Sequence, residues 1–583
     1  MLAPTTVAPA GGDGLPPGTT KLIDQDGSIV GKHASGSDEA DIVLIPRASD
    51  DPEDPLNWTK KRKWLATSCV LVYTIMIAIP SSAVYSVVTP IRTATGLSLS
   101  DINNGTGIMF LFYGWGCLIW QPCALQYGKR PAYLASLLAN IAILATAPMC
   151  TKKHTYLANR ILLGLFGAPV ESLCEISITD IWFAHQRPKY LALYGWGLSM
   201  TGKLAPMLSG FINVGMGWEW TLVRISAGAY SCLEILLLTH LKTFQWWCAI
   251  FNGIAFVYCF LFMEETNYDR PARPVGDNTA LMSDNGATDH QQGGDDADEK
   301  MSDKAGDSNS ANDDKAVDSE TGQVFFPRKT YVQKLGIKDK SRPNRMLDIA
   351  LGGLRGFTYP SVVYAGLMYG ANNLVWSGVQ NATAGTVYTT MYGFSTAGVA
   401  AAYAGGLLGT MVGGYYCGKV GRLLTIKLAR RNGGISESEH SLWLFSASMF
   451  LVPFSMLLYG LGVTYHIHWM GLVISQFTLA INNALAVSGS LGYAIASYPQ
   501  LSGDMITTCV IIRNTMSFAI NYGITPWLNQ MGYRDTYIIV AAIGFVWNAS
   551  IFVVTKYGRS IREKSAARYW KQVAQAHAKG LSH

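Results

Sequence analysis

Charge is scarce in this chain. Of 583 residues, 14% are Asp, Glu, Lys or Arg against 49% apolar, and the mean hydropathy is +0.18. The charges are missing from whole stretches rather than thinned throughout. Spans of roughly 20 apolar residues recur, each long enough to cross a bilayer about 30 Å thick. That excludes a soluble enzyme and implies a polytopic, all-α membrane protein. Other absences narrow the class. No basic run carries interleaved aromatics and the net charge is only +6, so nucleic acid is not an expected partner. The ten Cys show no CxxC or other ligand spacing. Most, including Cys69, Cys117, Cys174, Cys259 and Cys509, lie in apolar runs and read as small packing residues. No phosphate loop of the GxxxxGKS or GxxxxGKT type occurs, so no nucleotide is expected. There is no His-rich or Cys/His cluster, so no metal, cofactor or catalytic centre is expected either. The N-terminus, MLAPTTVAPAGGDGLPPGTT, has neither a charged n-region nor an apolar h-region. The expectation is that no signal peptide is cleaved and the first span itself starts insertion.

What is present is an arrangement of spans. They are expected near 64–88, 106–125, 131–150, 156–182, 189–212 and 246–263, and again near 355–378, 392–416, 441–463, 468–492, 505–527 and 536–556. The chain thus divides into a disordered N-terminus (1–63), a six-helix half (64–263), a linker (264–350), a second six-helix half (351–556) and a tail (557–583). The linker contains GGDDADEKMSDKAGDSNSANDDKAVDSE, which cannot bury enough apolar surface to fold. Sixteen Trp and 29 Tyr suit two membrane interfaces. Lys and Arg cluster on one side, at 60–63, Lys129/Arg130, Arg187/Lys189, the stretch before span seven, 419–431 and the tail. The other side has little beyond Arg92, Lys152, Lys153 and Arg534. By the positive-inside rule both termini and the linker face the cytosol. Asn104 and Asn381 then head external sequons, Asn381 being the better placed for a glycan.

One stretch does not fit. VRISAGAYSCLEILLLTHLKTFQ (223–245) lies between spans five and six, and its apolar run is too short to cross. Without it the chain reads GWEWTLWWCAIFNG, a compact hairpin. Its codons can supply an intron's donor, branch-point and acceptor marks, in frame and without a stop. The expectation is a retained intron. The alternative is a genuine external loop with an amphipathic patch, and a transcript that keeps these codons decides for the loop.

Several motifs support a resemblance. ALQYGKRPAYL (124–134), between spans two and three, is similar to the cytosolic loop motif of the major facilitator superfamily, with Gly128, Lys129 and Arg130 as its turn and paired cations. Leu125 stands where that motif has an acid, which weakens the usual charge-relay reading. ANRILLG (158–164) resembles the family's Arg-x-x-x-Gly pattern in helix four. GKLAPMLSG (202–210) partly resembles the antiporter motif of helix five, with Ala205 and Ser209 where Gly is usual. DPEDPLNWTKKRKW (51–64), MEETNYDR (263–270), ARRNGGISESEHSLWL (429–444), SYPQLSGD (497–504) and IRNTMSFAINYGITPW (512–527) resemble the fungal drug:proton antiporter group, especially members related to polyamine and cation transporters. Relatives commonly read DSYP before span eleven, whereas Ala496 precedes Ser-Tyr-Pro here. The resemblance implies a major facilitator fold of twelve transmembrane helices in two halves.

The ionisable residues of helix four stand out. At 100° per residue, Glu171 falls about 20° and Glu175 about 60° from Arg160, so all three share one face of a straight helix, while Asp180 falls about 200° away. Glu171 would lie about 16 Å deeper than Arg160, near the midplane. A charge there is expensive and faces a cavity or a partner. In one reading Glu171 or Glu175 carries a proton or meets a cationic substrate, since burial and a like-charged neighbour both favour a carboxyl that exchanges protons. In the other, one of them only pairs with Arg160, Lys203 or Arg513. Arg160 is open between coupling and packing, and Lys203 between repelling cations and holding a carboxylate. Tyr369, Asn372, Asn373, Trp376, Asn482 and Asn483 are polar or aromatic groups in apolar runs, suited either to a substrate cavity or to interhelical hydrogen bonds. Gly405, Gly409 and Gly413 form a GxxxGxxxG helix-packing seam, and Pro169 is placed to bend helix four.

Together these imply a monomeric, multi-pass secondary transporter of the plasma membrane, exchanging protons for a small organic solute such as a drug, a polyamine or a secondary metabolite, and exporting it. A nutrient-uptake symporter is the alternative. A non-transporting receptor of the same fold is disfavoured by the short, simple tail.

Overall fold

The computed structural model describes residues 16–21, 49, 51–183, 186–215, 232–268, 316–317, 324–325, 330–336, 344–432 and 435–578. The acidic linker therefore lies almost wholly outside the described residues. So do residues 223–231 of the anomalous stretch, while 232–245 continue as helix into the sixth span.

Apolar composition and local capping set the helices. Those of the N-terminal bundle are α1 (Lys60–Ser82), α2 (Val88–Thr95), α3 (Leu99–Tyr127), α4 (Lys129–Thr146), α5 (Lys153–Gly167), α6 (Pro169–Ile181), α7 (Arg187–Gly215) and α8 (Cys232–Phe262). A short α9 (Tyr331–Lys334) precedes the C-terminal bundle. That bundle contains α10 (Met346–Arg355), α11 (Pro360–Tyr369), α12 (Trp376–Thr390), α13 (Thr396–Tyr415), α14 (Arg422–Arg431), α15 (Phe445–Thr464), α16 (Met470–Ser497), α17 (Ser502–Ala549) and α18 (Ile551–Ala578). The start of α3 shows the local logic. Ser98 accepts from the Asp101 amide at 3.1 Å, and Asp101 reaches back to Ser98, a reciprocal cap that stops the preceding loop. In α17, Gly532 has φ 71° and ψ 177°, so the chain turns there between two spans. Among the described residues, seven helical runs are long and apolar enough to cross a membrane.

The core segregates with the sequence. One cluster draws only on residues between Trp58 and Met263. Two others draw on residues from Tyr359 to Val573 or from Ala371 to Ala541, with Tyr85 and Met207 crossing over, and a small cluster joins Cys117 and Ala168 to Ile506 and Val510. The bundles meet along two seams. On one, α3 faces α17: Asn103 donates to Thr525 at 3.0 Å, Trp115 to Thr515 at 3.2 Å, and Thr507 to Gln121 at 2.5 Å. On the other, α7 faces α13, with Gly210 against Ala400, Lys203 against Gly406 and Trp196 against Gly414. At the basic end of the second seam a cavity of about 380 Å³ remains between the bundles, lined by Trp64, Tyr190, Trp196, Gly414, Val487 and Ser488 among others.

Helix α13 uses glycine on two faces. Gly405, Gly409 and Gly413 press on the backbone of Val473, Phe477 and Ile481 in α16, as the GxxxGxxxG pattern implies. Gly406 and Gly414 admit the α7 side chains.

Two expectations need correction, on the N-terminus and on span seven. The N-terminus is not wholly disordered. Thr19–Lys21 forms a strand antiparallel to Ile435–Glu437, held because Arg562 donates to the Pro17 carbonyl while pairing with both Glu439 oxygens, at 2.9 and 2.6 Å. The tail is also ordered, with α18 running to Ala578 and burying Tyr569 and Val573. The seventh span does not stop near 378 but runs on through α12 to Thr390. Its Gly, Thr and Asn content hid it, because those residues are only weakly apolar yet pack closely against neighbouring helices.

Candidate functional site

Helix four is broken where Pro169 stands. Proline has no N–H, so the Leu165 carbonyl one turn earlier loses its helical donor. The Trp120 indole N–H fills the vacancy at 2.8 Å. Ala168 separates α5 from α6, and its carbonyl takes the Glu171 amide at 3.0 Å instead of a full helical turn. Ala168 keeps right-handed helical dihedrals, φ −52° and ψ −32°, so the break is local, with Arg160 on one side of it and both Glu171 and Glu175 on the other.

Glu171 and Glu175 lie below the break, 5% and 1% exposed. Glu171 forms an ion pair with Arg513 of α17. Arg513 is itself buried. It donates to the Tyr369 hydroxyl at 2.6 Å and to Asn514 Oδ1 at 3.3 Å, and its guanidinium lies 4.7 Å from the Tyr369 ring centroid. Of the three cations considered as partners, the structure thus selects Arg513, across the bundle interface. Glu175 lies one turn deeper within electrostatic reach of both Glu171 and Arg513. Its Oε2 has no hydrogen-bond partner. The result is one buried cation shared electrostatically by two buried carboxyl groups, of which only one is ion-paired.

Arg160 is elsewhere, in α5, with a guanidinium nitrogen 3.9 Å from Met109 Sδ and its plane 5.0 Å from the Tyr156 ring centroid. Lys203 packs its stem on Gly406 in the α7–α13 seam, and no ion pair to it is formed among the described residues.

The other cavity candidates divide. Tyr369 belongs to the ion-pair cluster. Directly after it the helix widens into a π-turn at Gly370–Val375, which holds Asn372 and Asn373; such turns frequently mark functional positions. Asn482 of α16 donates to the Asn372 carbonyl and to its Oδ1, at 3.0 and 3.3 Å. These two therefore make an interhelical hydrogen bond. Asn483 is buried with its Oδ1 unpartnered, and Asn373 is half-buried. Trp376 is in the apolar core of the C-terminal bundle near Gly544, not beside the carboxylates.

Neither sequon is presented for glycosylation. Asn381 sits inside α12 at 8% exposure, because span seven is longer than its hydropathy indicates. Asn104 lies in the second turn of α3, half-buried, with Oδ1 enclosed.

At the basic end the loop motif is complete in a form the sequence obscured. Gly128 has φ +113°, and a Cβ there would lie 2.7 Å from Glu265 Oε2. The Glu265 carboxylate accepts the Lys129 and Arg130 amides, both at 3.0 Å. It so caps α4 at its positive end. Lys129 pairs with Asp180 of α6. Arg130 donates to the Phe260 carbonyl at 2.7 Å and to the Leu335 carbonyl. Glu265 thus supplies the acid missing at Leu125. The signal was in MEETNYDR, the segment that carries it. Its other members are bound too: Glu264 pairs with Arg62, and Tyr268 donates to Asp51 at 2.9 Å.

Two helical bundles facing each other across an ion pair in a membrane-embedded core define a class: multi-pass carriers that move a solute by rearranging one bundle against the other. The chain belongs to the Major Facilitator Superfamily, which it matches over residues 70–508. It is 24% identical to an uncharacterized MFS-type transporter of Schizosaccharomyces pombe, over 95% of this chain and 94% of that one. It is also 24% identical to protein HOL1 of Saccharomyces cerevisiae, over 89% and 90%. Among solved structures it resembles the xylose transporter XylE from E. coli, with a TM-score of 0.51 at 12% identity, over 85% of this chain and 98% of that one. The chain is a membrane transporter and not an enzyme.

Proposed function

We propose that this protein is a proton-coupled antiporter that exports a small organic solute, with a cation such as a polyamine or cationic drug favoured over a neutral metabolite. The reading rests on one observation: Glu171 is committed to Arg513 across the interface, whereas Glu175 beside it has no ion-pair partner among the described residues. A carboxyl without a committed counter-ion can take up and release a proton without breaking the fold. Its neighbour cannot do so without freeing Arg513. Glu175 is assigned the proton, or direct contact with the cation, and Glu171–Arg513 is the link between bundles that must break for the site to change sides. Arg160 leaves the coupling set. The drug:proton antiporter resemblance supports export, as does 20% identity to the efflux pump vrtL of Penicillium aethiopicum over 88% of this chain. The basic loops support both termini being cytosolic, and the plasma membrane is the compartment this reading assigns.

The test is uptake and efflux in vesicles carrying an imposed proton gradient, with a panel of polyamines, cationic drugs and neutral metabolites. Glu175→Gln is expected to abolish gradient-driven transport while leaving substrate-for-substrate exchange. Full gradient-driven transport in that variant refutes the assignment.

A further inference from the structure

Arg160 is 4% exposed, and a guanidinium cannot shed its proton in a protein. Yet among the described residues its guanidinium is met by a thioether and an aromatic face, and its Nε has no hydrogen-bond partner there. The acids of the described N-terminal bundle are engaged elsewhere or lie at a different depth. Asp101 pairs with Lys153 at 2.8 Å, Glu171 with Arg513, Asp180 with Lys129 and Glu264 with Arg62. Glu175 is fifteen residues further along, beyond the Pro169 break. An uncompensated buried charge is strongly destabilising, and water cannot neutralise it. Beside Arg160 is a cavity of about 30 Å³, lined by Pro80, Val84, Ile91, Leu144, Asn213 and Cys248 among others. Asn213 Oδ1 and the Tyr156 hydroxyl are likewise buried without partners.

We infer that this cavity binds a monatomic anion of the chloride type as the counter-ion of Arg160. The site lies within the N-terminal bundle, apart from the carboxylate pair. Its volume exceeds the roughly 10–15 Å³ one water needs, and its largely apolar wall disfavours a strongly hydrated ion such as sulfate. The Arg160 guanidinium supplies the charge and the donors, Asn213 lines the same space, and the apolar wall suits a weakly hydrated ion. The anion fixes the external ends of α1, α5 and α7 against one another, so it acts on stability first.

The experiment uses the purified full chain, exchanged into gluconate and titrated with chloride, bromide or sulfate at constant ionic strength while thermal unfolding is followed. Chloride and bromide are expected to raise Tm saturably by about 2 °C or more, and sulfate is not. Arg160→Met is expected to remove the response. Asn213→Leu, which keeps the cation and so guards against a misfolded Arg160 variant, is expected to raise the half-saturating chloride concentration several-fold. Glu219, outside the described residues, is the competing source of negative charge, and Glu219→Gln is expected to leave the response intact. Identical Tm in gluconate and chloride, a response retained in Arg160→Met, an unchanged midpoint in Asn213→Leu, or loss of the response in Glu219→Gln each overturns the inference.

Discussion

Removing one member of the Glu171–Arg513 pair tests the bundle link directly. Their side chains are 6% and 2% exposed, so neither charge can recover hydration when its partner is lost. Glu171→Gln leaves Arg513 with the Tyr369 hydroxyl and Asn514 Oδ1, both neutral acceptors. Glu175, within electrostatic reach of Arg513, keeps that charge partly compensated, so the expected cost is below the about 3–5 kcal/mol of a fully orphaned buried charge. Arg513→Met is expected to cost at least as much, because it leaves Glu171 beside Glu175 without the cation between them. Replacing both together removes both charges, and a buried pair is worth little against a neutral replacement of similar volume. The double variant is therefore expected to be more stable than the sum of the singles by about 2–3 kcal/mol. The assay is a double-mutant cycle on denaturant or thermal unfolding of the purified protein. Additivity within about 0.5 kcal/mol would show that the two residues do not interact, and with it the proposed gate falls.

Four further outcomes follow from the geometry. A Cβ at Gly409 would collide with the Phe477 carbonyl, so Gly409→Ala should destabilise the α13–α16 seam by about 1–3 kcal/mol, whereas Gly523→Ala, which meets nothing within 4 Å, should not; equal unfolding temperatures for the two contradict this. Glu265→Ala removes the acceptor of two α4 amides and should cost about 1–2 kcal/mol and slow transport, while Leu125→Asp offered as compensation should restore part of the loss. Burial raises the Glu53 carboxyl, but Arg62 and then Lys334 more than offset this and hold it below its usual 4.5. Its contribution to docking α9 is thus present above pH 4.5 and lost as pH falls through the lowered value, so proteolysis of the linker should rise in that range and Glu53→Gln should flatten the profile. Finally, Asn381→Gln should leave gel mobility unchanged before and after endoglycosidase; a band shift assignable to that residue refutes the burial argument.

The fold was legible where hydropathy is strong. Apolar runs placed most helices within a few residues, and the glycine spacing in α13 named its packing seam before its partner was known. Span seven failed because its last turns are built from Gly, Thr, Asn and Tyr, which read as a loop by composition and behave as a packed helix in context. The carboxylates were legible as a cost: charge in an apolar helix demands a partner. Which partner was not, because the choice among Arg160, Lys203 and Arg513 depends on a break at Pro169 and on a seam between residues more than 300 positions apart. Glu265 was hidden for a similar reason. A cap supplied from the sixth helix leaves no trace in the spacing of the motif it completes.

The packed seams bear on how coupling would operate. α3 packs on α17 and α7 on α13, and Glu175 is 1% exposed, so a proton reaches it only when the packing around it loosens. Opening at either end separates the bundles and strains the Glu171–Arg513 pair, which is their charged link at that depth. On the proposed reading, Arg513 then has a choice of carboxylates, because Glu175 is one turn away on α6. If Glu175 is protonated, Arg513 returns to Glu171 and the seam recloses. If it is charged, it competes for Arg513, and a cationic solute bound at Glu175 ends that competition just as a proton does. Proton and cation thereby become alternative occupants of one carboxyl, each permitting closure and neither permitting it together, which is the condition an exchanger must meet and a symporter must not. A Glu175→Gln variant, neutral in every state, should therefore close without either occupant and let substrate run down its own gradient uncoupled from protons. If it instead locks open, Glu175 does not govern closure.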